Sequence, residues 1–385
     1  MSDKTEKRSK VLKIVKRVLL FLLLAAVVFA LVTLFVFRDD LNADGIRRWF
    51  KYINVRNDGD YGVYTFDSHS SNAYASFGDG LIIASVGGVD CYDSYGNERG
   101  VSQMQMTVPV LHTSEDYSMA YDAGGSSLAV VNENGSEVLR VDDVKSILDA
   151  DMADDGSLCY SAFSSGYKSV LSVYNNRQKL VYRWMSSSIY MPICAVSNDA
   201  EYLVSVGLGQ VDGNYCSTLY VFRTDSESVH QTAVLGDQLY YDISFINESI
   251  ICLVGEYSSV FYSLDGECLG AYSYLDRYLK DYTDGGDGFL TLSVNMYKAG
   301  NRYSVVTVGP DGEELASVYI GQEILSLSSC GKYIAVLTTS GLTIYDQDLQ
   351  VYAQTSERGA YTDVVMREDG SALLLGGGQG KLYIP

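Results

Sequence analysis

The chain of 385 residues carries 28 Lys/Arg against 48 Asp/Glu, a formal net charge of −20, and this charge is unevenly placed. Residues 1–38 hold eight basic and two acidic side chains, a net of +6, so residues 39–385 must hold about −26. A body that acidic is repelled by phosphate backbones and by anionic lipid surfaces, which excludes nucleic acid as an expected partner.

In chain order, the first feature is a basic tail over residues 1–17, with Lys4, Lys7, Arg8, Lys10, Lys13, Lys16 and Arg17. It is followed by VLLFLLLAAVVFALVTLFVF over residues 18–37, twenty residues without a charge and with Thr33 as the one polar member. At the rise of an α-helix such a run spans roughly 30 Å, the thickness of a bilayer's hydrocarbon core. The basic flank predicts a cytoplasmic N-terminus and an extracytoplasmic body, a single-pass membrane protein with an uncleaved signal-anchor. A cleaved signal peptide is the competing reading. The run exceeds an ordinary h-region, and Val28-Phe29-Ala30 is a poor cleavage site.

Residues 41–55, LNADGIRRWFKYINV, place Ile46, Trp49, Phe50 and Ile53 on one helical face, with Asp44 suited to the N-cap. Two readings of this amphipathic segment stay open. It lies in the headgroup region with Trp49 and Tyr52 as interfacial aromatics, or it packs as a connector on the domain that follows.

From residue 60 onward helical periodicity disappears. Short apolar or alternating runs, rich in tyrosine and separated by Gly/Asp/Asn/Ser turns, predict an all-β domain. Four segments align: MADDGSLCYSAF (152–163), VSNDAEYLVSVG (196–207), LSSCGKYIAVLT (327–338) and MREDGSALLLGG (366–377). A second motif, a strand, a D-G-like turn and a further strand, recurs in VDCYDSYGNE (89–98), LSVYNNRQKLV (171–181), LYVFRTDSESV (219–229), VFYSLDGECLG (260–270), VVTVGPDGEEL (305–315) and LTIYDQDLQVY (342–352). Anchoring on the second strand of each unit gives Leu81, Leu128, Leu158, Tyr202, Ile250, Leu290, Tyr333 and Ala372. These anchors recur at intervals averaging about 42 residues, the period of a four-stranded propeller blade.

With these elements the chain resembles the β-propeller repeat families of the WD40-like and quinoprotein-like kind, over roughly residues 60–385. The turn in SNDAEYL and the strand and turn in VFYSLDGECLG carry the likeness, while the Gly-His and Trp-Asp dipeptides of true WD40 repeats are missing. Its layout also resembles single-span bacterial proteins that carry a propeller outside the cell. The resemblance implies four-stranded blades, and the eight second strands suggest eight of them, with seven as the alternative. The last unit has room for three strands, and YGVYTFD (61–67) is the expected source of the fourth, a closure that would hide edge strands. The expected organisation is thus a cytoplasmic tail over 1–17, a transmembrane helix over 18–37, an amphipathic helix and linker over 38–59, and an extracytoplasmic propeller over 60–385.

Seven cysteines show no CxxC spacing. Cys159, Cys194 and Cys252 fall in apolar strand-like runs and read as small hydrophobes; most of the seven are expected free and buried, with a pair such as Cys252 and Cys268, on neighbouring predicted strands, as a candidate disulfide. The three histidines, His69, His112 and His230, are scattered, so neither zinc nor a Ser-His-Asp arrangement is expected. The acidic loops DADMADDG (149–156) and DYTDGGDG (281–288) have chemistry for calcium but lack EF-hand spacing, and read as hairpin turns. GLGQVDG (207–213) and LLLGGGQGK (373–381) likewise read as turns rather than phosphate loops. No cofactor, metal or catalytic residue is assigned. The expected function is a non-catalytic scaffold that binds a protein or a cell-envelope polymer. An extracytoplasmic hydrolase, lyase or ligand sensor using the central face is the alternative.

Overall fold

A computed structural model describes residue 48 and residues 51–53, 61–142, 144–211, 213–356 and 359–385. The chain divides into two compact units, Met1–Asp58 and Gly59–Pro385. The apolar run over 18–37 lies outside the described residues, as does most of the segment 41–55, in which Arg48, Lys51 and Tyr52 are helical. Among the described residues no helix is long and apolar enough to cross a membrane.

The described residues of the second unit form eight four-stranded antiparallel sheets, the blades of a β-propeller. In chain order the blades occupy residues 73–103, 109–141, 146–186, 190–236, 240–273, 278–320, 324–355 and 363–383. Within each of blades 1–7 the strands follow one another from the channel outward. The eighth blade takes its outermost strand from the other end of the domain, as YGVYTFD foretold. Val63–Thr65 pairs antiparallel with Gln379–Tyr383, Val63 opposite Lys381 and Thr65 opposite Gln379. Backbone bonds from Leu382 N–H to Gly62 O (2.8 Å) and from Phe66 N–H to Gly378 O (3.0 Å) extend the clasp on either side.

Seven of the eight second strands begin at or next to the residues that the sequence motif marks. Blade 2 is the correction: Leu128 opens its third strand, Leu128–Asn132, and the second strand is Tyr117–Asp122. The turn before Leu128, AGGSS, resembles the motif, whereas the turn before Tyr117 is held by Ser114, whose Oγ accepts the Tyr117 N–H at 3.1 Å. The glycine-rich stretches at 207–213 and 373–381 are hairpins, as read.

Apolar residues do not gather into one core. From blade 1 to blade 8, each seam between blades consecutive in the chain has its own cluster. Met119, Val130, Ile147 and Tyr160 meet between blades 2 and 3, and Val204, Leu219, Ile251 and Leu253 between blades 4 and 5. Pleating explains this, since alternate side chains of a blade enter the seams on its two sides.

The outer hairpins show why D-G and N-G sequences recur. Asp93 Oδ1 accepts the N–H groups of Tyr95 (2.8 Å) and Asn97 (2.9 Å), and Asn132, Asn175 and Asp346 make the same pair of bonds in blades 2, 3 and 7. This side-chain-to-backbone turn positions the next residues for positive φ. One such glycine, Gly312 (φ +77), sits so close to blade 5 that a Cβ there would lie 2.3 Å from Ala271 N.

Candidate functional site

The propeller has two chemically different ends, and the inner strands connect them. Their sequence is shaped first by the seams. In Ser146–Met152 of blade 3, Ile147, Ala150 and Met152 enter the core, and a register irregularity after Ile147 turns Asp149 and Asp151 away from it. Asp149 Oδ2 accepts the Cys194 N–H at 2.9 Å and Asp151 Oδ2 accepts the Val196 N–H at 3.0 Å, fastening blade 4. Hydroxyls do the same elsewhere: Thr283 Oγ1 accepts from Ser329 (3.2 Å), Ser326 Oγ from Val364 (3.2 Å) and Ser328 Oγ from Met366 (3.0 Å). The same irregularity precedes Asp242, Asp281 and Ser326. Polar inner-strand residues are therefore fasteners between blades before they are anything else.

A carboxylate differs from a hydroxyl in bringing a charge into the ring. Burial pushes Asp149 up to about 6 and Asp151 up to about 7, against the hydrogen bonds that favour their ionised forms. Burial also raises Asp242 well above the usual carboxylate range, and the facing charges of Asp284 and Asp149 raise it further. The imidazole of His112 is lowered by burial, which outweighs the attraction of Asp149 and Asp284. Groups from blades 2, 3, 5 and 6 thus sense one another across the channel. Tyr121 donates its hydroxyl to Asp149 Oδ1 at 3.1 Å and stacks on His112, with centroids 6.3 Å apart. His112 Nδ1 stands 3.8 Å from Asp151 Oδ1. That separation is beyond hydrogen-bond range.

Where the inner strands end, the channel widens into a cup of about 680 Å³. Asp151, Asp154, Glu248, Asp284, Asp287 and Glu368 line it together with His112. The two acidic loops singled out in the sequence meet here from blades 3 and 6, and His112 joins them from blade 2. Each loop is only half a turn, because Asp149–Met152 and Asp281–Thr283 belong to inner strands. Among the described residues no group of His, Cys, Asp and Glu is arranged to hold a metal ion. The sequence assigned no site residue. The signal it held, acidic residues at matched places in repeats far apart in the chain, becomes a site only when the ring closes.

The opposite end carries the loops between blades and the turns between second and third strands. It is rich in exposed aromatic and apolar side chains, concentrated on blades 5 and 6. Tyr241 is 53 % exposed and Leu275 66 %, and Tyr257, Met296 and Tyr297 join them. Arg302 lies over the Tyr297 ring at 5.7 Å. The polypeptide arrives at the other, acidic end, where Gly62 N–H bonds to Ser94 O (2.7 Å) in the outer turn of blade 1.

Of the seven cysteines, all present as free thiols, five are buried, Cys330 is partly buried and Cys268 is exposed. The free, buried state expected of most cysteines is thus the one seen, and the candidate Cys252–Cys268 pair is not formed. Cys252 pairs with Phe261 on the third strand of blade 5 and Cys268 with Tyr262 on the far side of that strand, so their strands are not neighbours. Cys159 and Cys194 instead bring their sulfurs to 3.5 Å.

Fold and channel together define the class, an eight-bladed β-propeller closed by its N-terminal strand. Solved propellers are similar to it in fold. BamB from Moraxella catarrhalis matches with a TM-score of 0.52 at 15% identity, over 83% of this chain and 97% of that one. The C-terminal WD40 domain of Sif2 matches with 0.58 at 12% identity, over 83% and 97%. The Dos1 propeller matches with 0.56 at 12%, over 85% and 96%. No curated protein matches the chain. The chain belongs to DUF5711, a family of unknown function whose model matches residues 56–375.

Proposed function

We infer that this chain is a membrane-tethered, extracytoplasmic β-propeller that serves as a non-catalytic scaffold for a protein partner. The observation that carries the reading is the aromatic end of blades 5 and 6. Tyrosine, methionine and arginine are the residues enriched at the centres of protein interfaces, where rigid amphipathic rings bury area at small entropic cost. Tyr241, Tyr257, Met296, Tyr297 and Arg302 supply that composition on one exposed end. The uncharged run over 18–37 and its basic flank support the tether and the outward placement of the body.

Photo-crosslinking of the full chain in its native membrane tests the scaffold reading. A photoreactive residue at Tyr257 or Leu275 is expected to give discrete protein adducts, and one at Tyr95, on the acidic end, is not. Adducts absent from both ends, or equal at both, would sink it.

A second reading is favoured by the cup. Asp151 near 7 is tuned to donate a proton at neutral pH, Asp284 and Glu368 face the same space, and paired carboxylates are the chemistry of polysaccharide hydrolysis. Release of reducing ends from a cell-wall polysaccharide, lost in Asp151→Asn, would replace the scaffold reading with this one. The scaffold reading stands first because fastening the next blade already accounts for the placement of Asp149 and Asp151.

A further inference from the structure

We propose that Cys159 and Cys194 are an oxidisable pair that closes into a disulfide across the seam between blades 3 and 4. The two residues lie on different blades, Cys159 on the second strand of blade 3 and Cys194 on the inner strand of blade 4. Their sulfurs stand 3.5 Å apart in one apolar cluster with Leu171, Met191 and Phe222. A disulfide needs the sulfurs at about 2.05 Å, a closure of the size that small side-chain rotations supply. Cys91, Cys216, Cys252, Cys268 and Cys330 sit elsewhere in the ring.

The position has a physical rationale. This is the seam fastened by Asp149 and Asp151, which accept the N–H groups of Cys194 and Val196. Fastening a seam with buried charges costs desolvation that the hydroxyl-fastened seams do not incur. A covalent link between residues 35 apart in the chain restricts the unfolded state and offsets that cost.

The chemistry is thiol–disulfide exchange with a small-molecule disulfide such as oxidised glutathione. The Cys159 thiolate attacks one sulfur of the oxidant, forming a mixed disulfide and releasing one thiol. The Cys194 thiolate then displaces the second thiol, so two S–H bonds and one oxidant disulfide become one protein disulfide and two small thiols. Both side chains are buried, at 0% and 1% exposure, and burial raises both thiols above their ordinary pKa. The link therefore forms as the seam assembles, before it is closed to the oxidant.

The test is cell-free synthesis of the full chain into detergent in a glutathione redox buffer, followed by denaturation and alkylation without reductant. Five of the seven thiols are expected to react, and peptide mapping is expected to join the segments containing residues 159 and 194. Cys159→Ser should give six reactive thiols and no link, while Cys252→Ser should keep the link. Wild type synthesised in the oxidising buffer should melt about 5 °C above wild type synthesised in excess reduced glutathione. Seven reactive thiols, or a link between other cysteines, would overturn the proposal. The mapping and the comparison of the two synthesis buffers use the wild type alone, so they decide the matter even if Cys159→Ser fails to fold.

Discussion

At the scale of single residues, the inner-strand carboxylates make stability depend on pH in an unusual direction. Asp149, Asp151 and Asp242 hold protons in the folded ring at pH values where the unfolded chain has released them. For Asp149 and Asp151 folded stability therefore falls as pH rises from about 4 to about 7, and Asp242 adds a fall in the same direction. His112 acts in the opposite sense: its pKa is lowered by folding, so its contribution is lost as pH falls below about 6.5. Three carboxylates against one imidazole predict a thermal midpoint that rises between pH 8 and pH 5.5. Asp151→Asn keeps an oxygen for the Val196 N–H and removes the charge. Moving a carboxylate from 3.8 to about 7 corresponds to ~4 kcal/mol at most. Calorimetry should show Asp151→Asn more stable than wild type by about 2 kcal/mol at pH 8, with the gap narrowing toward pH 5. A gap independent of pH would contradict the assignment. The sequence showed the acidic loops that carry Asp151 and Asp284, but not their burial or their meeting with Glu368, because the three sit in different repeats far apart in the chain.

At the scale of strands and turns, legibility was high, because each element announces itself locally. Alternation marks strands, and Asx side chains mark outer hairpins by bonding their own backbone. The failure at Leu128 is instructive. Blade 2 places its motif-like AGGSS turn one hairpin later, and spacing alone cannot distinguish the two hairpins of a blade. What local reading cannot supply is how turns pack on neighbouring blades. Gly270, in the outer strand Cys268–Ser273, meets the outer turn of blade 6 so closely that a Cβ would fall 1.7 Å from Asp311 O. Gly270→Ala must push that backbone away and is expected to cost about 2–3 kcal/mol, read as a lower urea midpoint with unchanged slope. A neutral effect would mean that the two blades are not in contact there.

At the scale of the whole molecule, the sequence pointed to a ring closed by its first strand, with eight blades favoured over seven. The structure resolves this at eight four-stranded sheets among the described residues. Closure rests on few residues. The strand Val63–Thr65 has three residues, and Tyr64, fully buried, is its main anchor. Tyr64→Ala is expected to cost ~3–5 kcal/mol. Hydrogen exchange in this variant should show protection lost first in Ala372–Gly376 and Gln379–Tyr383, the strands that Val63–Thr65 completes. Uniform loss around the ring would show instead that the blades unfold as one unit.

That same strand has a mechanical meaning. Because the polypeptide joins the ring at Tyr61 and Gly62, any pull from the N-terminal side is borne first by the short clasp strand, ahead of the other seven blades. Under such a load the clasp is the part of the ring expected to yield first, as the pin of a shackle does.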